Sequence, residues 1–255
     1  MRTSPDNNTL PYPRICAHRG FPPIAPENSL PSFGAAVALG ADEIEFDLWD
    51  TKDGEIISLH DKNLDRVSTG TGNVWEYTYD ELLNFDFAVK RGEALTGLKI
   101  VRFEEILQNF SKAVIMNIHV KIWDNHRPDP MYGKIAGLIR KYGAEKHCYV
   151  MSHSDDALRE FHEVAPEISR CVGFDGNKDD FLSMPRRALA LGAEKVQLYK
   201  PNFDKSTVDF AHENGILCNV FYADDPAEAL AYHQMGIDCI LTNNYLQIKN
   251  ALGKE

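Results

Sequence analysis

Two histidines, two carboxylates and an arginine stand at the ends of apolar runs near the N-terminus: His18-Arg19-Gly20, then Glu45 and Asp47, then His60-Asp61. These groups supply what hydrolysis of a phosphate ester requires. Imidazoles move protons, a guanidinium holds phosphoryl oxygens, and carboxylates can carry a cation. Ile44-Glu45-Phe46-Asp47-Leu48 alternates with the period of a strand, so Glu45 and Asp47 share one face. Asp53-Gly54 then reads as a two-residue hairpin loop ahead of the β-rich run Glu55-Ile56-Ile57-Ser58-Leu59-His60. With Lys52 paired to Glu55, counting outward sets Asp47 directly opposite His60. Cross-strand neighbours lie about 5 Å apart at Cβ, close enough for a metal on the carboxylates to sit beside a working imidazole.

If Ile44, Phe46 and Leu48 face a helical layer, both carboxylates point inward. That costs free energy unless a cation or hydrogen-bond donors compensate, and a metal ion is the simplest compensation. Lys121 shares a strand face with Asn117 and His119, so it too is predicted to point inward, as a phosphate contact. Taken alone, His18 would read as a satisfied core histidine. Its convergence with Glu45, Asp47 and His60 at the rim of a barrel points instead to chemistry. His18 and His60 are the expected acid and base, with the assignment between them open. The attacking oxygen could be a hydroxyl of the substrate itself, giving a cyclic phosphate that water then opens.

The elements that must position these groups follow from periodicity. Strand-like runs at 14–17, 43–49, 55–59, 114–120, 148–152, 170–173, 195–199, 217–222 and 238–241 alternate with helical patterns at 29–39, 103–110, 131–142, 155–164, 180–191, 204–214, 226–234 and 245–251. This is the pattern of parallel βα units and predicts an α/β chain folded as a TIM-type (β/α)8 barrel. It also contains one strand too many. The Asp53-Gly54 hairpin explains a surplus strand without showing which one lies outside the ring. Residues 62–102 contain no βα unit, only a Gly-rich stretch followed by Trp75, Tyr77, Tyr79, Phe85 and Phe87. Residues 1–255 are therefore expected to form a single barrel domain with a small insertion at 62–102, whose aromatics cover either the substrate or merely the barrel end.

The series Cys16-Ala17-His18-Arg19-Gly20, Pro26-Glu27-Asn28-Ser29, Ser32-Phe33, Gly40-Ala41-Asp42, Ile44-Glu45-Phe46-Asp47, Thr51-Lys52-Asp53-Gly54, His60-Asp61, Leu64-Asp65-Arg66 and Gly70-Thr71-Gly72 resembles the glycerophosphodiester phosphodiesterases. The similarity thins toward Asn117-Ile118-His119-Val120-Lys121 and Gly236-Ile237-Asp238-Cys239-Ile240-Leu241-Thr242. The resemblance implies a barrel and a cap over the active-site mouth. It also implies a divalent cation, Mg²⁺ or Ca²⁺, and cleavage of glycerophosphodiesters to glycerol 3-phosphate and an alcohol. Its metal-binding set would include Glu45 and Asp47, and Arg19 and Lys121 would contact the substrate. Where such proteins usually carry a third carboxylate, this chain has His119, a softer, neutral donor that shifts the expected preference toward Mn²⁺ or Zn²⁺. Phe221 stands where Trp is common and is expected to touch the substrate. His153 replaces a frequent Phe, and Asn243-Asn244 replace an acidic turn. These last departures are expected to line the pocket and leave the cleavage centre alone.

Composition narrows the setting. A chain of 255 residues with 44% hydrophobic content can bury roughly 70–75% of its unfolded surface without staples. The net charge of -11 argues against nucleic acid or anionic membrane as partners, which reward clustered Lys and Arg, and means that an anionic substrate, such as the small phosphodiester the resemblance implies, must be drawn by local cations. Five cysteines in apolar strand-like runs, an odd number without CxxC spacing, favour buried thiols in a reducing compartment. The polar N-terminal stretch has no leader pattern, so a cytoplasmic location is expected, with no stable membrane insertion. Two rivals remain at this level. One is a phosphodiesterase or lyase acting on a sugar-phosphate or lysophospholipid diester, and the other is a binding barrel with a weakened metal site.

Overall fold

In the computed structural model, which describes residues 5–88, 95–122 and 131–254, the alternation at 44–48 determines how the barrel is built. Ile44, Phe46 and Leu48 are fully buried on the outside of the sheet, where Phe46 meets Phe33 (ring centroids 5.5 Å) and Phe103 (6.0 Å) of neighbouring helices. Burying a side chain of this size contributes about 1.5–3 kcal/mol. The odd positions of the same strand are thereby committed to the barrel interior.

The strands are β1 (Arg14–His18), β2 (Glu43–Asp50), β3 (Ile56–Ser58), β4 (Val101–Arg102), β5 (Ile115–Val120), β6 (Cys148–Ser152), β7 (Ser169–Val172), β8 (Lys195–Tyr199), β9 (Leu217–Phe221) and β10 (Cys239–Thr242). The helices are α1 (Leu30–Ala38), α2 (Tyr79–Leu82), α3 (Phe103–Phe110), α4 (Met131–Lys141), α5 (Asp155–Val164), α6 (Ser183–Leu191), α7 (Lys205–Glu213), α8 (Pro226–Met235) and α9 (Tyr245–Ala251). β1, β2 and β5 to β10 run parallel, and β1 pairs with both β10 and β2, which closes the ring. This is the expected (β/α)8 barrel. The surplus strand is β3, which with β4 forms an antiparallel extension of β2 outside the ring. Helix ends follow local chemistry: the Ser154 hydroxyl accepts the Ala157 N–H at the start of α5, and the Ser29 hydroxyl accepts the Ser32 N–H at the start of α1. α6 begins at Ser183 rather than 180, because Asp180 takes the Leu182 N–H on its side chain and the Ser183 N–H on its carbonyl, forming a turn.

The hairpin register differs from the sequence reading by one residue. Leu48 faces Ser58 and Trp49 faces Ile57, and the Leu59 N–H donates to the Asp47 carbonyl, so Asp47 lies opposite Leu59 and not His60. The loop has three residues, 52–54. Thr51 exchanges bonds with Glu55 through both its backbone N–H and its hydroxyl, and Gly54 takes φ +76°, a conformation that suits glycine.

Residues 59–88 and 95–100 pack at the end of this hairpin. Trp49, Ile57, Leu59, Leu64, Val74, Leu82, Phe87 and Ile100 form a second hydrophobic cluster, with Trp75, Tyr77, Tyr79 and Phe85 against it. Those four aromatics are structural cover, while Phe87 also lines a cavity of about 270 Å³ beside His60. Residues 89–94 of the expected insertion lie outside the described residues.

The opposite end of the barrel is closed by charge. Arg14 and Glu43, both fully buried, pair at 3.0 Å, and the Tyr149 hydroxyl donates to the second Glu43 oxygen at 2.6 Å. Asn7 and the Leu10 carbonyl accept from the same guanidinium, and Lys195 donates to the Tyr12 hydroxyl at 2.7 Å. All five cysteines are free and buried, as expected. Among the described residues no helix is long and apolar enough to cross a membrane. The N-terminal stretch behind the cytoplasmic expectation includes residues 1–4, which lie outside the described residues.

Removing the cation from the closed end tests this account. Arg14→Leu strands Glu43 in the interior and should lower unfolding free energy by about 3–5 kcal/mol in a urea titration. Tyr149→Phe deletes one hydrogen bond and should cost about 1–2 kcal/mol. Equal losses would show that the ion pair is not the dominant contact.

Candidate active site

Parallel pairing of β2 with β1 and β5 puts His18 in register with Glu45, and Asp47 in register with His119. Lys121 follows at the end of β5, Phe221 ends β9, and His60 arrives from beyond β3. All eight residues singled out from the sequence, His18, Arg19, Glu45, Asp47, His60, His119, Lys121 and Phe221, line one cavity of about 240 Å³ at the C-terminal rim of the barrel. His60 reaches it despite the altered register because the chain leaves the ladder after Ser58, and the Trp49 indole N–H holds the His60 carbonyl at 3.3 Å.

Asp47 is the hub. Its Oδ1 lies 2.8 Å from Lys121 Nζ and 3.1 Å from His119 Nδ1, and its Oδ2 accepts from Asn28 Nδ2 at 3.0 Å and lies 3.7 Å from Arg19 Nε. Burial alone would raise its pKa. The Lys121 ammonium and the bond to His119 instead hold Asp47 well below the usual carboxylate range. Glu45 has weaker support: the Arg19 backbone N–H at 3.1 Å, with His18 Nε2 and His119 Nδ1 at 3.8 and 3.9 Å. Burial and the neighbouring Asp47 charge push its carboxyl up to about 8.

Burial, aided by Arg19, lowers His18 to about 4, and burial with Lys121 lowers His119 well below the ordinary imidazole range. His60, less enclosed, is also lowered by burial, against the pull of Asp47 and Asp61. Neutral imidazoles are the form that accepts protons or binds metal.

A cation fits here. One atom each from Glu45, Asp47 and His119 converge within 4.8 Å of one another, all three residues are buried, and His119 Nε2 has no hydrogen-bond partner among the described residues.

The loop after β1 shapes the rim. Arg19 and Asn28 both take the left-handed conformation, at φ +56°, and Gly20 follows at φ +87°. A β-carbon on Gly20 would meet the Ser32 hydroxyl at 2.4 Å, so only glycine fits against α1. Asn28 joins the loop to two strands. Beyond its bond to Asp47 Oδ2, its Oδ1 accepts the Asp47 N–H at 3.2 Å and the Ser58 hydroxyl at 3.0 Å. The residue sits inside the Pro26-Glu27-Asn28-Ser29 motif, the only hint the sequence offered. A charged chain also runs along the rim: Arg19 to Glu27 at 2.9 Å, Glu27 to Arg66 at 2.6 Å, and Arg66 to Asp61, whose other oxygen bonds His60 Nδ1 at 2.6 Å.

Of the expectations about minor residues, one holds and one needs revision. His153 does line the cavity, its Nδ1 on the Phe174 carbonyl at 2.8 Å and its ring edge-on to His119 at 4.8 Å. Asn243, however, does not line it. Its Oδ1 bonds His18 Nδ1 at 2.9 Å, behind the reacting face, because β10 pairs with β1 with Thr242 opposite Ala17.

With this geometry, residues 18–246 match the model of the glycerophosphoryl diester phosphodiesterase family. The chain belongs to that family. It is accordingly a phosphodiester hydrolase. A glycerophosphodiester phosphodiesterase of Caldanaerobacter subterraneus subsp. tengcongensis is 27% identical over 241 residues, covering 94% of this chain and 98% of that protein. The solved Oleispira antarctica phosphodiesterase in complex with the product sn-glycerol-3-phosphate shares the fold (TM-score 0.83, 22% identity, 95% of this chain and 98% of that one). So does a glycerophosphodiester phosphodiesterase of Agrobacterium tumefaciens (TM-score 0.78, 23% identity, 93% and 99%).

Asn28 gives a two-variant test. Asn28→Ala and Asn28→Gly both lose its three side-chain hydrogen bonds, but glycine relieves the left-handed backbone and should be about 1 kcal/mol more stable than alanine in chemical denaturation. An alanine variant at least as stable as the glycine variant would refute the strain assignment.

Proposed function

We propose that the chain is a cation-dependent phosphodiesterase that hydrolyses glycerophosphodiesters to glycerol 3-phosphate and an alcohol, with His18 and His60 as the proton-transfer pair. The observation that carries this reading is the facing of both imidazoles, Arg19 and Lys121 onto the cavity that holds the Glu45, Asp47 and His119 cluster. Residues 1–255 serve as one barrel domain, with 62–102 as an insertion at its mouth. The Oleispira relative bound to sn-glycerol-3-phosphate supports the choice of substrate.

Glu45, Asp47 and His119 would hold the divalent cation, which polarises a phosphoryl oxygen and offsets charge in the transition state. Arg19 and Lys121 bind the non-bridging oxygens. His18 Nε2 takes the proton from the attacking oxygen as the new P–O bond forms. His60 gives a proton to the alkoxide as the P–O bond to the alcohol breaks. His60 suits the donor role better than His18, because Asp61 at 2.6 Å favours its protonated form against the lowering by burial, whereas His18 is bonded to a neutral amide and lowered to about 4. Where the glycerol 2-hydroxyl attacks, the cyclic product is opened by water with the two roles reversed. Phe221 packs edge-on to His18 at 5.1 Å and forms part of the substrate wall.

His18→Ala and His60→Ala should each lower turnover of glycerophosphocholine by about 100- to 10,000-fold with an unchanged circular dichroism spectrum. Activity within a few-fold of the parent for both would remove the two-histidine assignment.

The mixed nitrogen and oxygen donor set predicts tighter binding of Mn²⁺ or Zn²⁺ than of Mg²⁺ or Ca²⁺. Calorimetric titration should show this order, with His119→Glu moving it toward Ca²⁺ and Mg²⁺. An identical affinity series for both proteins would exclude His119 as a ligand.

A further inference from the structure

We propose that Asn243, anchored by Asp224, is a positioning residue that keeps the proton of His18 on Nδ1 and so leaves the Nε2 lone pair facing the catalytic cavity. The proposal rests on the reading of His18 as proton acceptor.

An amide side chain can offer either its oxygen or its nitrogen, so the 2.9 Å contact between Asn243 Oδ1 and His18 Nδ1 needs an independent reason for its orientation. Asp224 supplies it. Asn243 Nδ2 lies 2.8 Å from Asp224 Oδ2, and a carboxylate only accepts, so the nitrogen must point there and the oxygen must face the imidazole. An acceptor facing Nδ1 selects the Nδ1–H tautomer. Asp224 cannot swing away easily, because its Oδ1 accepts the Asn243 backbone N–H at 2.7 Å and the Thr242 hydroxyl at 3.0 Å. The strand register then delivers the pair to its target, since the Ala223 N–H bonds the Leu241 carbonyl and Thr242 stands opposite Ala17.

The consequence is directional. With Nδ1–H committed to Asn243, Nε2 is turned toward Glu45 Oε2 at 3.8 Å and the cavity beyond, and Phe221, edge-on at 5.1 Å, restricts rotation of the ring. With the proton on Nε2 instead, the imidazole would present a donor to the attacking hydroxyl and could not take its proton. A wrong tautomer at a triad histidine in other hydrolases costs most of the activity while leaving geometry intact.

The experiment uses full-length protein with ¹⁵N-labelled histidine, resonances of His18 being assigned by difference from His18→Ala, and steady-state kinetics on glycerophosphocholine at fixed pH. In the parent, His18 should show a protonated Nδ1 and an unprotonated Nε2. Asn243→Ala should lose that signature and drop kcat by about 10- to 100-fold with KM within about two-fold. Asn243→Asp alone should be impaired as well, since it sets one carboxylate against another. The double variant Asn243→Asp with Asp224→Asn restores the donor and acceptor order and should recover both the Nδ1–H signature and most of kcat. That rescue is not expected of a residue that only fills space. If Asn243→Ala does not fold, Asp224→Ala carries the same comparison against the double variant.

Persistence of the Nδ1–H form together with kcat within about two-fold of the parent in the alanine variant overturns the proposal. So does failure of the double variant to recover the tautomer. A fully active His18→Ala would overturn the reading of His18 as acceptor, an outcome separate from the tautomer result.

Discussion

Everything at the mouth of this barrel follows from two carboxylates held two residues apart on the inner face of β2. Buried charge of one sign is tolerated only when donors and cations surround it, and the neighbouring elements are arranged to provide them. β5 brings His119 beside Asp47 and Lys121 just beyond, β1 brings His18 and the backbone of Arg19 to Glu45, and the loop before α1 brings Asn28. The compensation is uneven. Asp47 has a dedicated ammonium, while Glu45 has one backbone N–H and distant imidazoles, and its carboxyl is driven up to about 8 by burial and by Asp47. One carboxylate of the pair is thus left short of partners.

The contrast within the same strand is instructive. Glu43 lies on the same face, two residues before Glu45, and is equally buried. Its oxygens are fully committed to Arg14 and Tyr149, and the segment from Asn7 to Tyr12 seals that end. One strand therefore carries a closed ionic plug at one end and an open, under-compensated cluster at the other. The first stabilises, and the second is available for binding.

The imidazoles are differentiated in the same manner, by what stands behind each ring. Asp61 backs His60 with a full charge, and Asp61 is in turn held by Arg66 and linked through Glu27 to Arg19. Asn243 backs His18 with a neutral carbonyl. Burial lowers both imidazoles, but what stands behind each ring differs: a carboxylate that favours the protonated form of His60, and a neutral amide at His18.

Much of this was legible in the sequence because strand and helix periodicity are local. Alternation at 44–48 was enough to turn Glu45 and Asp47 inward, and the series of βα units was enough for a (β/α)8 barrel. The eight site residues likewise all reach one cavity. Register was another matter. Whether two or three residues close the 52–54 loop depends on side-chain bonds from Thr51 that no periodicity reports, and it moved Asp47 from opposite His60 to opposite Leu59. Which strand left the ring also had to await closure, since only the pairing of β1 with both β2 and β10 excludes β3. Asn28, Asn243 and Asp224 were invisible as partners for a related reason. Their roles are long-range hydrogen bonds, and separations of 19 or 225 positions along the chain are fixed only when the barrel closes and neighbouring strands settle into register.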